Sequence, residues 1–303
     1  MRIKDLSEID LIRRLSKNFK LDKTVIKGSG DDTAVLKWTK DKYLLYTCDM
    51  TIEGVHFDLR RATPFQAGWK ALGRNISDIG AMGGLPKYAV VSMAISREQK
   101  LSVADGICRG IKSIADRFGV NIVGGDIAEA KNIVIDVSLI GEVEKKRLVL
   151  RSGAKIGDLI MVTGSLGRSI KGKHLNFTPR VNEASEILKK FKINSMIDIS
   201  DGLALDLNRI LKASRVGSRV YESAIPLSKD AVSVNNALYD GEDYELLFTM
   251  SAKEAKRLYR TGLNKIEAPI SIIGEITAKI NEYKIVREDG KIEDVKIKGY
   301  LHF

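Results

Sequence analysis

Three apolar runs in this chain end beside aspartates, and this repeated arrangement constrains the fold more than any other feature. The runs are Lys42-Tyr-Leu-Leu-Tyr-Thr-Cys-Asp49, Val120-Asn-Ile-Val-Gly-Gly-Asp126 and Met196-Ile-Asp-Ile-Ser-Asp201. Short apolar runs that contain Tyr, Thr, Val or Ile are typical of buried strands, so each predicts a strand that delivers carboxylates to a loop. Mg²⁺ prefers oxygen ligands and is usually held by one or two carboxylates together with substrate phosphates. The pattern therefore predicts a divalent-metal site built from strand ends.

Amphipathic helical segments alternate with the predicted strands. The clearest follow Thr63-Pro64 as far as Ile79, and Ser96-Arg-Glu-Gln99 as far as Phe118, and residues 132–143 are expected to form the strand beside the Asp126 strand. This alternation predicts an α/β protein with mixed sheets layered with helices. A polar, glycine-bearing stretch after Lys145 indicates a boundary between an N-terminal domain, residues 1–144, and a C-terminal domain, residues 145–303.

Composition excludes several classes of protein. With 303 residues, 44% hydrophobic and 29% charged, the chain can form two cores and is not intrinsically disordered. The net charge of +11 is spread along the chain with few aromatic residues nearby, so no nucleic-acid surface is indicated. No apolar run approaches the length of a membrane span. Cys48 and Cys108 lack metal-site spacing and fit reduced thiols, and we expect a cytoplasmic protein without membrane partners.

Several acidic or basic positions have two interpretations. Asp32 follows a glycine turn that is not a Walker loop, and turn chemistry alone explains an acid there. Asp78 lies one helical turn after Arg74 and is either its ion-pair partner or a metal ligand. Asp201 is either the N-cap of the next helix or a ligand. His56 follows the Asp49 strand by one loop and is either structural or a binding residue.

The chemistry that remains is that of carboxylates. The three histidines match no zinc pattern and no nucleophile–base set. Acids alone would repel a polyphosphate, but with divalent ions between them they form a clamp that neutralises charge during phosphoryl transfer, for which Asp49 and Asp126 are the main candidates. Arg151 beside glycines suits phosphate. The residues thus indicate a metal-dependent nucleotide enzyme, with the substrate left open.

The ordered motifs also resemble those of a known family, the thiamine-monophosphate kinases of the aminoimidazole ribonucleotide synthetase superfamily. The resemblance runs from the N-terminal region to the last residue. It is carried by Gly30-Asp-Asp-Thr-Ala, Thr47-Cys-Asp49, Glu53-Gly-Val-His-Phe57, Asn75-Ile-Ser-Asp-Ile-Gly-Ala-Met-Gly83, Gly124-Gly-Asp126, Arg151-Ser-Gly-Ala, Asp198-Ile-Ser-Asp-Gly202, Gly241-Glu-Asp-Tyr-Glu-Leu246 and Lys298-Gly-Tyr-Leu-His-Phe303.

The resemblance implies two α/β domains of the aminoimidazole ribonucleotide synthetase type, paired through the N-terminal domains in a homodimer. It implies ATP-dependent phosphorylation of thiamine phosphate to thiamine diphosphate with several Mg²⁺ ions, by direct in-line transfer without a general base. The metal ligands implied are Asp32, Thr47, Cys48, Asp49, Asp78, Asp126, Asp198 and Asp201. Gly125, Asp126, Arg151 and Ser200 are implied for ATP, and His56, Glu242 and Tyr300 for thiamine phosphate.

Three positions depart from the family pattern, namely Cys48, Ile127 and Asp240. A thiol is a poor Mg²⁺ ligand, so Cys48 fits the pattern only if its backbone carbonyl is the ligand. The alternative functions are a sister ATP-dependent enzyme of the superfamily and a non-catalytic basic nucleotide- or RNA-binding protein. The chain has neither the N-terminal reactive Cys of selenophosphate synthesis nor the C-terminal Cys of hydrogenase maturation.

Overall fold

A computed structural model describes residues 2–261, 266–280 and 282–300 of the chain. Two β-sheets with helices packed on them form the described part. Its α-helices are α1 (Glu8–Ser16), α2 (Pro64–Ala81), α3 (Leu101–Phe118), α4 (Lys173–Asn176), α5 (Val181–Lys190), α6 (Leu203–Ser214), α7 (Val234–Tyr239) and α8 (Ala252–Thr261). Its strands are β1 (Val25–Lys27), β2 (Ala34–Lys37), β3 (Lys42–Ile52), β4 (Leu85–Ala94), β5 (Asn121–Ala128), β6 (Val134–Glu144), β7 (Asp158–Thr163), β8 (Ser195–Asp198), β9 (Gly217–Tyr221), β10 (Leu246–Ser251), β11 (Ile270–Thr277), β12 (Tyr283–Val286) and β13 (Ile292–Asp294).

The first sheet has the strand order β1-β2-β3-β6-β4-β5, in which only β4 and β5 pair in parallel. Helices α2 and α3 cover one face, because alternate residues of the strands are apolar and point into a shared core. Residues of opposite parity, including Tyr46, Met50, Tyr88 and Val90, stay exposed on the other face, which we call the open face. The mixed α/β architecture predicted from sequence is confirmed.

The second sheet has the order β13-β12-β9-β11-β7-β10-β8, with only β12 and β9 parallel. Its strands are apolar on both faces: in β7, Ile160 and Val162 belong to the core under α6 and α7, and Met161 belongs to the core under α5 and α8. Because successive side chains of a strand point to opposite faces, this continuous apolar run requires helices on both sides.

Helix α2 joins the two sheets. Its Thr63 cap accepts a hydrogen bond from Gln66 N, and the helix then runs with an almost wholly buried interior. Trp69 Nε1 donates to Phe177 O over 2.8 Å, and Ala81 lies in the core under α5. One face of α2 therefore belongs to the first sheet and another to the second. No helix among the described residues has the length and apolar character to cross a bilayer.

Two acids predicted on loops lie inside strands instead. β3 continues past Asp49 to Ile52, because these residues keep pairing with β6, and β5 continues through the glycines and Asp126 to Ala128. The prediction that residues 132–143 pair with the Asp126 strand was wrong, since β6 lies between β3 and β4. Sequence pattern shows that strands exist but not which ones are neighbours.

Some helix boundaries also differ from those expected. The Ser7-Glu-Ile-Asp10 capping box predicts a helix to about Phe19, but α1 ends at Ser16. α3 begins at Leu101, since Ser96 Oγ accepts from Glu98 N in a turn that precedes the helix. The Asp289-Gly290 pair predicts a hairpin turn, and the turn forms between β12 and β13. The sequence also predicts a helix from Ser251 to about Gly262, and Gly262 lies outside the described residues. So do residues 301–303 of the closing motif, including His302.

Candidate active site

A cavity of about 320 Å³ lies where β3, α2, β8 and the start of α6 meet. It brings together all the predicted site residues except Gly125 and Asp126. The predicted residues that line it are Asp32, Thr47, Cys48, Asp49, His56, Asp78, Arg151, Asp198, Ser200, Asp201, Glu242 and Tyr300. Further lining residues that the sequence did not single out are Glu8, Arg74, Arg209 and Tyr244.

Three carboxylates form the centre of the cavity. One oxygen each from Asp32, Asp78 and Asp198 lies within 4.8 Å of the others. Thr47 Oγ1 donates to Asp78 over 2.7 Å, and Ser77 Oγ donates to Asp198 over 2.6 Å. Burial, followed by the repulsion of neighbouring carboxylates, raises the pKa of both Asp78 and Asp198 well above the usual range. The cluster is thus arranged to attract a cation.

The donor set fits Mg²⁺. All three side chains offer carboxylate oxygens, the ligands that this hard cation prefers. Asp32 Oδ2 is buried and has no hydrogen-bond partner within the described ranges, which leaves it available to an ion. Asp49 and the Thr47 hydroxyl lie on the same face of β3 as each other and line the same cavity. A divalent ion here would relieve the repulsion that adds to burial in raising the pKa of Asp78 and Asp198.

Arginines accompany the acids around this centre. Arg151 Nη2 donates to Asp32 over 2.6 Å, and Arg209 bonds Asp201. Arg74 Nη2 donates to Asp49 over 3.1 Å, so Arg74 pairs with β3 rather than with Asp78. The interpretation of Asp78 as a helical ion-pair partner was therefore wrong.

The N-cap interpretation of Asp201 was also wrong. Helix α6 begins at Leu203 with Gly202 as its N-cap, and no side chain caps it. Gly202 has a φ of 107°, which a residue with a Cβ rarely adopts, and this turns the chain so that the Asp201 carboxylate faces Arg209. Asp201 is thus directed to the cavity by the turn that precedes the helix.

The side chain of Cys48 points away from the acids. Along β3, Thr47 and Asp49 face α2, and Cys48 lies on the open face, where its Sγ contacts Asp136 Oδ1 over 3.4 Å. Only the backbone of Cys48 is therefore directed to the cavity. A thiolate ligand is ruled out by this geometry, and a backbone-carbonyl ligand stays a prediction.

The Gly-Gly-Asp segment lies elsewhere in the sheet. Asp126 sits on the edge strand β5, three strand spacings or about 14 Å from β3, and it is exposed. It lines a separate apolar groove of about 640 Å³ between β5 and α3. A Cβ on Gly125 would meet Val91 O at 1.8 Å, so this glycine is required by its contact with β4. Within one chain, the expected meeting of Gly125 and Asp126 with the other acids does not occur.

Two of the three predicted substrate residues, His56 and Glu242, are held by a lysine that the sequence analysis missed. Lys70 is fully buried; its Nζ donates to His56 O over 2.7 Å and to Glu242 Oε1. His56 Nδ1 accepts from Ile52 N, which leaves the proton on Nε2. The signal was present in the sequence, since Lys70, Arg74 and Asp78 follow one another at intervals of four on a helix that carries no other charged residue.

The Gly-Glu-Asp-Tyr-Glu motif, which precedes β10 of the second sheet, holds Glu242 against Lys70 of α2. Glu242 and Tyr244 have positive φ values of 58° and 51°. Their side chains line the cavity, whereas those of Asp243 and Glu245 have other partners. Tyr244 stacks on Phe177 with ring centroids 3.9 Å apart. Asp243 accepts from Gly167 N, and Glu245 accepts from Arg180 Nε over 2.7 Å. Strained backbone held by several buried contacts is typical of functional sites.

Comparison with known proteins agrees with this geometry. Family models for the AIR synthase related protein match residues 30–143 (N-terminal domain) and 155–286 (C-terminal domain). Thiamine-monophosphate kinase of Aquifex aeolicus is 35% identical over 332 residues, covering 100% of both chains, and that of Bacillus subtilis is 32% identical over 326 residues, covering 98% of this chain and 100% of the other.

Solved structures give the same result. One described as AaThiL complexed with AMPPCP and TMP has a TM-score of 0.83 and 33% identity, covering 100% of this chain and 99% of the other. A hydrogenase maturation protein HypE in complex with ATP has a TM-score of 0.73 but 19% identity, covering 96% of each chain, and shares the fold alone. By its full-length matches and its shared architecture, the chain belongs to the thiamine-monophosphate kinase family of AIR synthase related proteins.

Proposed function

We propose that this protein transfers the γ-phosphoryl group of ATP to thiamine phosphate, with Mg²⁺, and forms thiamine diphosphate. The observation that carries the proposal is the cavity in which three converging carboxylates lie beside Glu242 and His56. Kinases of this name share the fold over the full chain, and a related structure holds AMPPCP and TMP. The acids supply the metal half of the site and the Lys70-held residues supply the acceptor half.

The reaction needs no general base, because the acceptor phosphate is ionised near neutral pH. An oxygen of that phosphate attacks the γ-phosphorus, a new P–O bond forms, and the bond to the β,γ-bridging oxygen breaks with its electron pair leaving on ADP. Bound Mg²⁺ would neutralise the charge of the transferring group. Asp32, Asp49, Asp78, Asp198 and Asp201, with Thr47 and the Cys48 backbone, are the candidates to hold it.

The other roles are assigned by position in the cavity. Arg151, already charged and fixed by Asp32, suits the nucleotide phosphates together with Ser200 at the start of the α6 turn. His56, Glu242 and Tyr300 suit the organic part of the acceptor, whose thiazolium ring is cationic and favours a carboxylate and an aromatic ring. We assign the metal and phosphate site mainly to residues 1–144 and its completion to residues 145–303.

We further propose that a second copy of the chain covers the open face. β5 is an unprotected edge strand, and Ile122, Val123 and Ile127 on it are exposed, the last at 75%. Ile122 and Ile127 line the groove toward α3, whereas Tyr88 and Val90 of the neighbouring strand β4 are exposed on the open face. Apolar side chains therefore extend from the open face to the exposed edge of the sheet, a surface that a monomer rarely leaves uncovered. Such a homodimer would remove Asp126 from solvent and carry it toward the nucleotide held by the partner.

Incubation with ATP, Mg²⁺ and thiamine phosphate tests the activity directly. Formation of thiamine diphosphate with equal ADP is expected, and EDTA should abolish it. Phosphorylation of another acceptor, with thiamine phosphate unchanged, would favour a sister enzyme. Binding that ignores Mg²⁺ and weakens steeply with salt would favour the basic binding protein.

Mixed dimers test the contribution of Asp126 across the interface. Asp49→Asn and Asp126→Asn are each expected to lower the rate at least about a hundredfold, since each removes charge from the clamp. Co-expressed with different tags and purified as a heterodimer, the two variants should regain activity, because one of the two sites is then intact. An inactive heterodimer would place both acids in the same chain's site.

A further inference from the structure

Arg74 occupies a position between the two halves of the cavity. It lies on α2 one turn after Lys70 and one turn before Asp78, and its side chain is 17% exposed. Nη1 donates to Met50 O over 2.9 Å, and Nη2 donates to Asp49 Oδ1 over 3.1 Å. These two bonds fix the guanidinium against the end of β3.

The surroundings of Arg74 come from both halves of the site. Asp49 and Asp78 lie on its metal side, and Glu242 and Tyr244 lie on its acceptor side, all close enough to act on its charge. The bonds to Met50 O and Asp49 use two of the five N–H donors that a guanidinium carries. Donors therefore remain to meet a ligand at the boundary between metal and acceptor.

An acceptor phosphate in this cavity needs a cation of its own. The lining is rich in carboxylates, including Asp49, Asp201 and Glu242, which repel a phosphate. The other lining arginines are committed deeper in the cluster, Arg151 to Asp32 and Arg209 to two aspartates on or before α6.

We propose that Arg74 binds the phosphate of thiamine phosphate and sets the preference for a phosphorylated acceptor over free thiamine. A planar guanidinium presents paired donors that match two phosphate oxygens. Held at the boundary of the metal cluster, it places the attacking oxygen next to the transferring phosphoryl group. This inference rests on the proposed function, and it assigns a substrate-binding residue that no motif of the sequence analysis contains.

The competing interpretation is that Arg74 only neutralises Asp49. Both roles predict a loss of activity on substitution, so activity alone does not separate them. They differ in binding: an acceptor anchor distinguishes thiamine phosphate from thiamine, whereas a counter-ion changes the affinity for a cation. Removing a positive charge beside Asp49 should then tighten Mg²⁺ binding without changing ligand preference.

The test is isothermal titration of the full-length protein, with Mg²⁺ and a non-hydrolysable ATP analogue present, against thiamine phosphate and against thiamine. We expect Arg74→Gln to weaken thiamine phosphate binding at least about tenfold, as a lost charge-assisted phosphate contact should, and to leave thiamine binding within about twofold. Arg74→Lys, a point charge, should retain part of the preference. The matched control is Arg97→Gln, which removes an exposed arginine paired with Glu129 and should change neither affinity.

The outcomes separate this inference from the function on which it rests. If wild type binds thiamine phosphate and Arg74→Gln keeps the same preference, Arg74 is not the anchor, and tighter Mg²⁺ binding would identify it as a counter-ion. If wild type binds neither ligand, the proposed function itself fails. If Arg74→Gln does not fold, Arg74→Lys decides the question, because a lysine lacks the paired N–H donors of a guanidinium. If Arg74→Lys keeps both the wild-type preference for thiamine phosphate over thiamine and the wild-type Mg²⁺ affinity, the proposal is overturned.

Discussion

Replacing Asp78 with asparagine is expected to make the metal-free protein more stable while removing its activity. Asp78 and its neighbours Asp32 and Asp198 offer oxygens within 4.8 Å of one another. Two full charges at that distance repel by about 3.5 kcal/mol at an effective dielectric constant of about 20. Asparagine has the same shape, and its side-chain oxygen still accepts the bond from Thr47. The substitution therefore removes repulsion without leaving a cavity.

The net gain in stability is smaller than the summed repulsion of Asp78 with Asp32 and with Asp198. Asp78 and Asp198 relieve part of the repulsion by holding protons, as their raised pKa values indicate, and Arg151 neutralises part of the charge of Asp32. We expect the free energy of unfolding to rise by about 2 kcal/mol. With about 2.1 cal/mol/K of unfolding entropy per residue over 303 residues, this corresponds to a Tm increase of about 3 °C.

Thermal unfolding in EDTA and in saturating Mg²⁺ measures the effect. In EDTA, Asp78→Asn should unfold at a higher temperature than wild type. In Mg²⁺ at about a hundred times its Kd, wild type should gain about 2.7 kcal/mol, and the order should reverse. Asp116→Asn, which removes an exposed acid paired with Lys112, is the matched control and should change neither value. A lower Tm for Asp78→Asn in EDTA would refute the repulsion argument.

Three further predictions follow from other contacts. Lys70→Met should raise the KM for thiamine phosphate about tenfold or more, with a smaller change in kcat, because a charge-assisted bond to Glu242 and the donor to His56 O are lost. Steady-state kinetics checks this, with Lys279→Met, which removes an exposed lysine paired with Glu282, as the control, and an unchanged KM would contradict it. Mg²⁺ should bind more tightly as pH rises, since it must displace protons held at the raised pKa of Asp78 and Asp198. Titration calorimetry in buffers of different ionisation enthalpy should detect protons released on Mg²⁺ binding, and zero release would exclude the displacement of protons. The stability of the metal-free protein should fall over the same rise in pH, because the folded state binds more protons than the unfolded state. Glu245→Gln should lower the free energy of unfolding by about 3–5 kcal/mol, because Arg180 and Lys173 would keep partly buried charges without their carboxylate. Denaturant unfolding measures this, and a loss below about 1 kcal/mol would show that these two ion pairs do not stabilise the fold.

Sequence reasoning found the acids but not all of their neighbours. Apolar runs locate Asp49 and Asp198, and a glycine turn before a strand locates Asp32; each alone has a structural explanation, and it is their number and common setting that indicates a site. The position of Asp126 was not predictable, since it depends on strand order, which is set by tertiary packing. The pairing of Arg74 with Asp49 rather than Asp78 likewise depends on how α2 lies across β3.

Some of the missed features were accessible from local rules. The period of two along β3 places Cys48 opposite Thr47 and Asp49, so its exclusion from the cluster follows from the strand assignment alone. A lysine amid Ala67, Leu72 and Ile76 on an apolar helix signals a buried charge that requires partners. Which partners it has could not be predicted, because Glu242 is distant in sequence and reaches it through a loop with positive φ.

The alternation along β3 lets a single strand serve two surfaces that never meet. Side chains of one parity, such as Thr47 and Asp49, are constrained by the reaction, and those of the other, such as Cys48 and Met50, are constrained only by what covers the sheet. Adjacent residues of β3 therefore meet different structural requirements. A thiol is tolerated between Thr47 and Asp49 because its sulfur lies on the other surface.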